Sequence, residues 1–317
     1  MYYHSLTFYH YDMAHVTTDQ TTARHGRTGL AGAIPPHAYF LVSAVFHYLG
    51  PAFAVLIFAH VGVLGVAWLR IASAAAVFAA WRRPWRLFVE GAWSQRRLLI
   101  ALGIVLGVMN ACFYLAIARL PLGTVGAIEY LGSIILAALG ARTRRNVLAL
   151  GLAVVGVGLL TEVRLGGQPL GFVFAFANGV LFMLYVLLGH RIARDGGSAG
   201  IERQGAAMLV ALLAVTPLGI VGAAPAFAHP PLLLAGIGVG ICSSVIPYVC
   251  DQLAMARLPR ATFALLLSLL PASAAVIGFL VLRQVPTPAE IAGVALVICG
   301  VAVHQESVGL ARRRHQA

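Results

Sequence analysis

The residue best suited to chemistry in this chain is Glu129, an acidic side chain in the middle of a long apolar segment. It is the only charged residue between Arg119 and Arg142. A charge at the centre of a lipid bilayer costs about 2.5 to 3.5 kcal/mol on insertion scales, so such residues usually face a cavity, a partner or a proton path. We therefore expect Glu129 to bind substrate or carry a proton. The alternative is a permanently protonated carboxyl group that joins two helices.

Arg70 is a second charged residue inside an apolar segment. Its guanidinium group cannot lose its proton, so it needs an anion nearby. Glu129 or the carboxylate of a substrate would serve. A fixed structural ion pair, or a side chain that extends to the membrane surface, remains an equal alternative.

A third group of polar residues lies on one helical face, because Ser244, Tyr248 and Asp251 are spaced at i, i+4 and i+7. Pro247 cannot donate a hydrogen bond to the carbonyl of Ser243, so it should kink the helix and free an acceptor that lines a binding cavity. Asp251 is expected either to act in this site or to be solvated near the end of its helix.

Two further pairs of polar residues should each face one direction. Asn110 and Tyr114 are four residues apart, and Asn178 and Tyr185 are seven apart. These side chains suit hydrogen bonds to the amino and carboxylate groups of a substrate, although they equally suit contacts that join helices. His47 is a candidate proton relay, with a buried neutral imidazole as the alternative.

The composition indicates that helices in a membrane position these residues. Hydrophobic residues make up 60% of the 317 positions and charged residues 10%, whereas a soluble domain is roughly 25% charged. All 22 basic residues are arginine, and the formal net charge is +12. They lie in short clusters between apolar segments, which is typical of topology signals and unlike a continuous phosphate-binding surface. We expect the lipid bilayer as a partner and no nucleic acid.

The cysteines predict neither a disulfide nor a metal site, because none is in a Cys-x-x-Cys motif and all lie inside apolar runs. They are Cys112, Cys242, Cys250 and Cys299. No cofactor is expected. Residues 1–36 are polar, lack the apolar core of a secretory signal and are predicted to be a disordered extension. Residues 307–317 form a basic tail.

A helix needs about 20 residues to cross the hydrocarbon core, and the chain contains ten windows close to that length. They are residues 38–60, 62–81, 98–118, 122–141, 146–163, 169–190, 204–223, 231–252, 260–282 and 287–306. The sequence thus predicts an all-α integral membrane protein with ten transmembrane helices. The window 146–163 is rich in glycine, which favours a position inside the bundle.

The arginines are strongly biased to one side of these ten spans. That side receives Arg24, Arg27, Arg82, Arg83, Arg86, Arg96, Arg97, Arg142, Arg144, Arg145, Arg191, Arg194, Arg203, Arg257, Arg260, Arg312, Arg313 and Arg314. The opposite side receives Arg119, Arg164 and Arg283. By the positive-inside rule, the crowded side is cytoplasmic, so both termini should face the cytoplasm.

One heptapeptide occurs twice in the chain. Residues 115–121 read Leu-Ala-Ile-Ala-Arg-Leu-Pro, and residues 253–259 read Leu-Ala-Met-Ala-Arg-Leu-Pro. The copies end the third and eighth predicted spans, and five crossings between them reverse the orientation. We therefore expect inverted five-helix repeats at 37–163 and 164–306, with substrate bound near the midplane where they meet.

Around these copies the sequence resembles a known family. Residues 107–118 read Gly-Val-Met-Asn-Ala-Cys-Phe-Tyr-Leu-Ala-Ile-Ala, and residues 121–132 read Pro-Leu-Gly-Thr-Val-Gly-Ala-Ile-Glu-Tyr-Leu-Gly. With Ile-Pro-Tyr-Val-Cys-Asp at 246–251 and Leu-Pro-Arg-Ala-Thr-Phe at 258–263, they resemble the EamA-type branch of the drug/metabolite transporter superfamily, and are similar to threonine/homoserine exporters. The resemblance covers residues 38–306.

The resemblance implies a ten-helix inner-membrane exporter that is driven by a proton gradient. Its expected substrates are small metabolites, chiefly amino acids. The chain departs from the family pattern at two places. Leu270 and Pro271 replace a Glu-Pro pair in the ninth span, and Gly132 and Ser133 replace a Gly-Pro pair in the fourth. Without the second acidic residue, the substrate and the coupling stay open.

Other functions on the same fold are efflux of drugs or toxic metabolites and passive facilitated transport. An intramembrane enzyme would need clustered acidic residues, a metal-binding motif or a nucleophile with its base, and the sequence contains none of these. We therefore expect a transporter of small molecules and no enzyme. The sequence does not fix the oligomeric state, so a homodimer stays open.

Overall fold

The fold is given by a computed structural model that describes residues 34–131, 144–162, 168–258, 263, 266–267 and 270–303. Over these residues the chain forms helices, turns and short connections, without strands. Residues 1–33 of the predicted N-terminal extension, the C-terminal tail and Gly132 with Ser133 lie outside the described residues.

Twelve α-helices and one π-helical segment occupy the described part of the chain. The α-helices are α1 (Pro36–Ile57), α2 (Val63–Arg82), α3 (Arg86–Glu90), α4 (Trp93–Ile117), α5 (Leu122–Glu129), α6 (Arg144–Glu162), α7 (Pro169–Ile192), α8 (Gly197–Ala228), α9 (Pro230–Gly240), α10 (Ile246–Met255), α11 (Leu270–Leu282) and α12 (Pro288–Val303). The π segment (Ile241–Val245) joins α9 to α10.

Each of the ten predicted spans contains a helix in its described residues. Six helices are long and apolar enough to cross a membrane by length and composition, namely α1, α2, α4, α7, α8 and the continuous helix Pro230–Met255. Shorter apolar stretches lie at Val147–Gly156, Leu270–Leu282 and Pro288–Gly300. The all-helical class is confirmed, whereas the count of ten crossings stays a prediction.

The outer surface of these helices suits lipid better than water. Large apolar side chains are exposed along them, with Leu213 at 74% and Val221 at 81% of their full accessible area. Contiguous exposed apolar surface of this kind marks contact with lipid or with another apolar partner. Together with the apolar helices, it identifies a multi-pass membrane protein.

Helix α8 begins at Gly197, earlier than the predicted start of its span at residue 204. The charged residues near its start are satisfied locally, because Arg203 donates to a carboxylate oxygen of Asp195 at 2.5 Å and to the carbonyl of Ile192 at 2.9 Å. The helix ends at Ala228, between the predicted spans 204–223 and 231–252. The sequence did not predict the short helix α3.

The glycine-rich helix α6 does not pack inside the bundle, so that prediction is wrong. Gly151 and Gly158 have no described atoms within 4 Å of the position where a side chain would begin. Gly156 alone of the three packs closely, against the carbonyl of Gly293 in α12. Gly151 and Gly158 lie on one side of the helix and Gly156 on another, and among the described residues the close contact is on the side of Gly156.

The main helix contacts join the first predicted repeat to the second. Helix α4 packs on α7 and α8, α1 packs on α10 and α11, and α2 packs on α8 and α9. The pairs α5 with α7, α5 with α11 and α6 with α12 complete the set. As a result, side chains from both predicted repeats meet at the centre of the bundle.

The described residues of the two heptapeptide copies make matching backbone hydrogen bonds at the ends of α4 and α10. The amide of Leu120 donates to the carbonyl of Ala116, and the amide of Leu258 donates to the carbonyl of Ala254, each at 2.8 Å. The repeated sequence therefore ends two helices in the same way.

Candidate functional site

Two buried carboxyl groups lie among the helices where the predicted repeats meet. Glu129, at the end of α5, is 2% exposed, and Asp251, in α10, is 6% exposed. Each accepts hydrogen bonds on both of its oxygens. We define the central site as these two acids together with Arg70 and the side chains that contact the three.

Glu129 is held by neutral donors from two other helices. The hydroxyl of Tyr48 in α1 donates to Oε2 at 2.8 Å, and Nδ2 of Asn178 in α7 donates to Oε1 at 3.0 Å. The hydroxyl of Tyr130 lies 3.3 Å from that of Tyr48 and extends the network. Because no charged donor from the described residues contacts it directly, this carboxyl group can hold either a proton or a negative charge.

Asp251 is also held inside the bundle. The hydroxyl of Ser43 in α1 donates to Oδ1 at 2.5 Å, and the hydroxyl of Tyr185 in α7 donates to Oδ2 at 2.9 Å. The alternative of a solvated carboxylate at the end of the helix is therefore wrong, because α1 and α7 cover that part of α10.

Helices α1 and α7 hold both acids. Ser43 and Tyr48 lie on α1, and Asn178 and Tyr185 lie on α7, so each helix sends one donor to each carboxyl group. The prediction that Asn178 and Tyr185 face the same interior agrees with this arrangement. A movement of either helix would alter the environment of both acids together.

Arg70 in α2 is 3% exposed and is bound to the π segment instead of to an acid. Its Nε donates to Oγ of Ser244, and its Nη2 donates to the carbonyl of Ser243, both at 2.8 Å. Its Cζ lies 5.4 Å from the centre of the Tyr114 ring. Among the described residues, no carboxylate oxygen lies within 4.0 Å of the guanidinium, so Glu129 is excluded as its direct partner here.

The carbonyl that binds Arg70 is the one that Pro247 was predicted to free. Pro247 has no N–H, so Ser243 lacks its usual helical donor. The backbone shifts to π-helical hydrogen bonds, with the amide of Ile246 donating to the carbonyl of Ile241. Such π segments are frequent at functional sites. The freed acceptor was predicted from the sequence, but the π segment was not.

Asn110 and Tyr248 meet between α4 and α10. Nδ2 of Asn110 donates to the carbonyl of Leu106 at 2.7 Å and lies 3.4 Å from the hydroxyl of Tyr248. The Tyr248 ring in turn packs 5.5 Å from the Tyr185 ring. Asn110 and Tyr248 are 138 positions apart, the same offset that separates the two heptapeptides.

Aromatic rings connect the hydrogen-bond partners of the two acids. Phe182 packs edge-on against Tyr130 at 5.1 Å and contacts Tyr185 at 5.8 Å. The buried His47 ring lies edge-on to Tyr48 at 5.2 Å and to Phe182 at 6.1 Å. These contacts suit a packed neutral imidazole, and a proton-relay role for His47 stays a prediction.

The sequence interpretation missed several members of the central site. The missed residues are uncharged. They are Ser43, Tyr48, Tyr130 and Ser243, and the last three are adjacent to His47, Glu129 and Ser244. Hydroxyl groups inside apolar windows are a signal for interhelical hydrogen bonds, and Ser43 with Tyr48 in the first window could have been found in this way.

The described residues contain no group of three His, Cys, Asp or Glu side chains placed to hold a metal ion. A separate cavity of about 640 Å³ lies between the start of α5 and helices α11 and α12. Its wall is mostly apolar and includes Arg119, Thr124, Gln284 and Glu290. None of the predicted site residues lines this cavity.

Comparison with known proteins gives consistent matches. Residues 169–304 match the model of the EamA-like transporter family. The threonine/homoserine exporter RhtA of Escherichia coli (strain K12) is 32% identical over 269 residues, which cover 83% of this chain and 88% of the exporter. RhtA of Salmonella typhimurium (strain LT2) is 33% identical over 255 residues, 78% of this chain and 84% of the exporter.

A solved crystal structure shares the fold. It aligns with a TM-score of 0.51 at 20% sequence identity and covers 88% of this chain and 99% of the solved chain. At this identity the likeness concerns the fold alone.

Proposed function

Because the chain belongs to the EamA-like transporter family, we propose that it exports threonine, homoserine or closely related small amino acids across the inner membrane. The relatives that share 32 to 33% identity over most of the chain are threonine/homoserine exporters, which supports an amino-acid cargo. The observation that carries the proposal is the central site, since two carboxyl groups and one guanidinium are buried together in the middle of an apolar bundle.

The proposed architecture is a pair of inverted five-helix repeats at 37–163 and 164–306, with a separate extension at 1–36 and a tail at 307–317. The family match to residues 169–304 supports the second repeat as a unit. The helix contacts support the symmetry. When the repeats are exchanged, α4 corresponds to α10 and α7 corresponds to α1, and both α4 with α7 and α10 with α1 are in contact.

Two further observations support a twofold axis through the centre. Two residues that a twofold axis relates can contact each other only close to that axis. Asn110 and Tyr248 are equivalent positions, 138 residues apart, and they contact each other. The heptapeptide arginines also behave alike, because Arg119 lies 5.5 Å from the Phe174 ring in α7 and Arg257 lies 6.0 Å from the Tyr39 ring in α1. Exchange of the two half-conformations would then give alternating access. The arginine distribution supports two cytoplasmic termini.

Glu129 is the proposed proton-coupling group. Its partners are neutral donors, so it can release a proton and bind a cationic group in turn without breaking an ion pair. The family pattern has a second acid in the ninth span, where this chain has Leu270. Asp251 supplies a second buried acid on α10, and α1 and α7 connect it to Glu129. We assign five further predicted residues, Asn110, Asn178, Tyr185, Ser244 and Tyr248, to the support of these groups.

Purified protein in liposomes tests the function. An imposed pH gradient should drive labelled threonine or homoserine against its concentration gradient, and protein-free liposomes should show no such flux. Movement only down the concentration gradient would identify a passive facilitator. Movement of cationic drugs without any amino-acid flux would identify a drug exporter and contradict the proposal.

A further inference from the structure

Arg70 keeps a permanent charge in the apolar interior, and no carboxylate in the described part of the chain lies beside it. A buried charge that is neither paired nor fully hydrogen-bonded is strongly unfavourable. The two contacts of Arg70 are to a serine hydroxyl and a carbonyl, which satisfy Nε and Nη2. Its guanidinium also contacts the neutral side chain of Tyr114. The guanidinium thus has unused capacity to bind an anion.

Two buried hydroxyl groups lie beside the guanidinium. The hydroxyls of Tyr114 and Ser243 are fully buried, and within the described part of the chain neither has a partner in full hydrogen-bond geometry. The Tyr114 ring lies beside the guanidinium, and its hydroxyl is in electrostatic contact with Arg70 and Ser243. A cation and two hydroxyl donors at one place suit a carboxylate, whose oxygens accept several hydrogen bonds.

An acid lies nearby but does not touch Arg70. Glu129 is in electrostatic range of Arg70, although no oxygen of Glu129 is within 4.0 Å of it. Tyr248 is in electrostatic range of both Arg70 and Glu129, and it contacts Asn110. A positive group and a negative group in electrostatic range of each other suit a molecule that carries both a carboxylate and an ammonium group.

We propose that Arg70, Tyr114 and Ser243 form a subsite for the carboxylate of the cargo, whose ammonium group faces Glu129. This rests on the proposed transport function and deepens it, because it restricts the cargo to zwitterionic amino acids. A cationic compound without a carboxylate would leave Arg70 unpaired and add a second positive charge beside it. The subsite therefore rejects cationic drugs by repulsion as well as by missing contacts.

Counterflow of labelled threonine into liposomes that hold the purified protein tests the subsite. Threonine and homoserine should compete with the label. Threonine amide and 1-amino-2-propanol, which lack the carboxylate, should compete at least about tenfold less well. Equal competition by these two compounds would overturn the carboxylate subsite and leave the transport function intact. Absence of threonine and homoserine counterflow in wild-type protein would overturn both.

Variants locate the subsite. Arg70→Gln should raise the KM for threonine at least about tenfold and remove the preference for threonine over 1-amino-2-propanol. The exposed Arg191→Gln is the matched control and should keep both values. Tyr114→Phe and Ser243→Ala should weaken the same preference, and they carry the test if Arg70→Gln does not fold. An unchanged preference in folded Arg70→Gln, or in both milder variants, would overturn the assignment.

Discussion

At the scale of single residues, the central site consists of buried charged side chains that are held by neutral partners. Glu129, Asp251 and Arg70 were singled out from the sequence, and all three are buried together. Their partners could not be predicted, because which side chain reaches which acid depends on the rotation of each helix. The sequence offered Arg70 as a partner for Glu129, whereas in the structure Glu129 binds Tyr48 and Asn178.

Tyr48→Phe should lower the rate of threonine export roughly tenfold without unfolding the protein. The change removes the hydroxyl that donates to Glu129 and leaves a buried carboxylate oxygen without its partner, a loss of about 1 to 3 kcal/mol. Initial export rates in liposomes give the effect, and size-exclusion chromatography in detergent gives folding. A wild-type rate in Tyr48→Phe would show that this bond does not tune the acid.

Asp251→Asn should impair transport while the fold persists. An asparagine fills the same space, but its NH₂ group cannot accept the hydrogen bond that one of Ser43 or Tyr185 donates. We expect a loss of transport larger than that for Asp195→Asn, whose side chain is 66% exposed. Equal rates for the two variants in the liposome assay would remove Asp251 from the site.

At the scale of helices, ten apolar windows predicted where helices occur but not how each packs. The windows depend on the apolar composition of each segment, which can be read directly from the sequence. The position of α6 at the side of the bundle depends on which of its faces finds a neighbour, and that is a property of the tertiary structure. The π segment was missed for the same reason, since Arg70 stabilises it from another helix.

Helix packing predicts a contrast between two glycine variants. A side chain at Gly65 would overlap the backbone of Gly222 where α2 crosses α8, whereas Gly151 faces open space. Gly65→Ala should therefore destabilise the protein by about 1 to 3 kcal/mol. Gly151→Ala should be neutral or slightly stabilising, since alanine favours helix over glycine. Thermal unfolding in detergent measures both, and equal melting temperatures would contradict this packing.

At the scale of the whole molecule, the duplicated heptapeptide predicted a relation that no single helix reveals. The inverted arrangement places Arg119 and Arg257 at opposite faces of the membrane. In a variant without native cysteines, Arg119→Cys should react with a membrane-impermeant maleimide from outside intact cells. Arg257→Cys should react only after the cells are opened. Labelling of both from the same face would exclude inverted repeats.

The central claim is that a proton bound at Glu129 drives export. Glu129→Gln keeps the size of the side chain but removes its ability to ionise. The most direct test compares threonine accumulation driven by a pH gradient in liposomes for wild type, Glu129→Gln and the exposed control Glu90→Gln. We predict that wild type and Glu90→Gln accumulate threonine and that Glu129→Gln does not. Accumulation by Glu129→Gln at the wild-type level would contradict the claim.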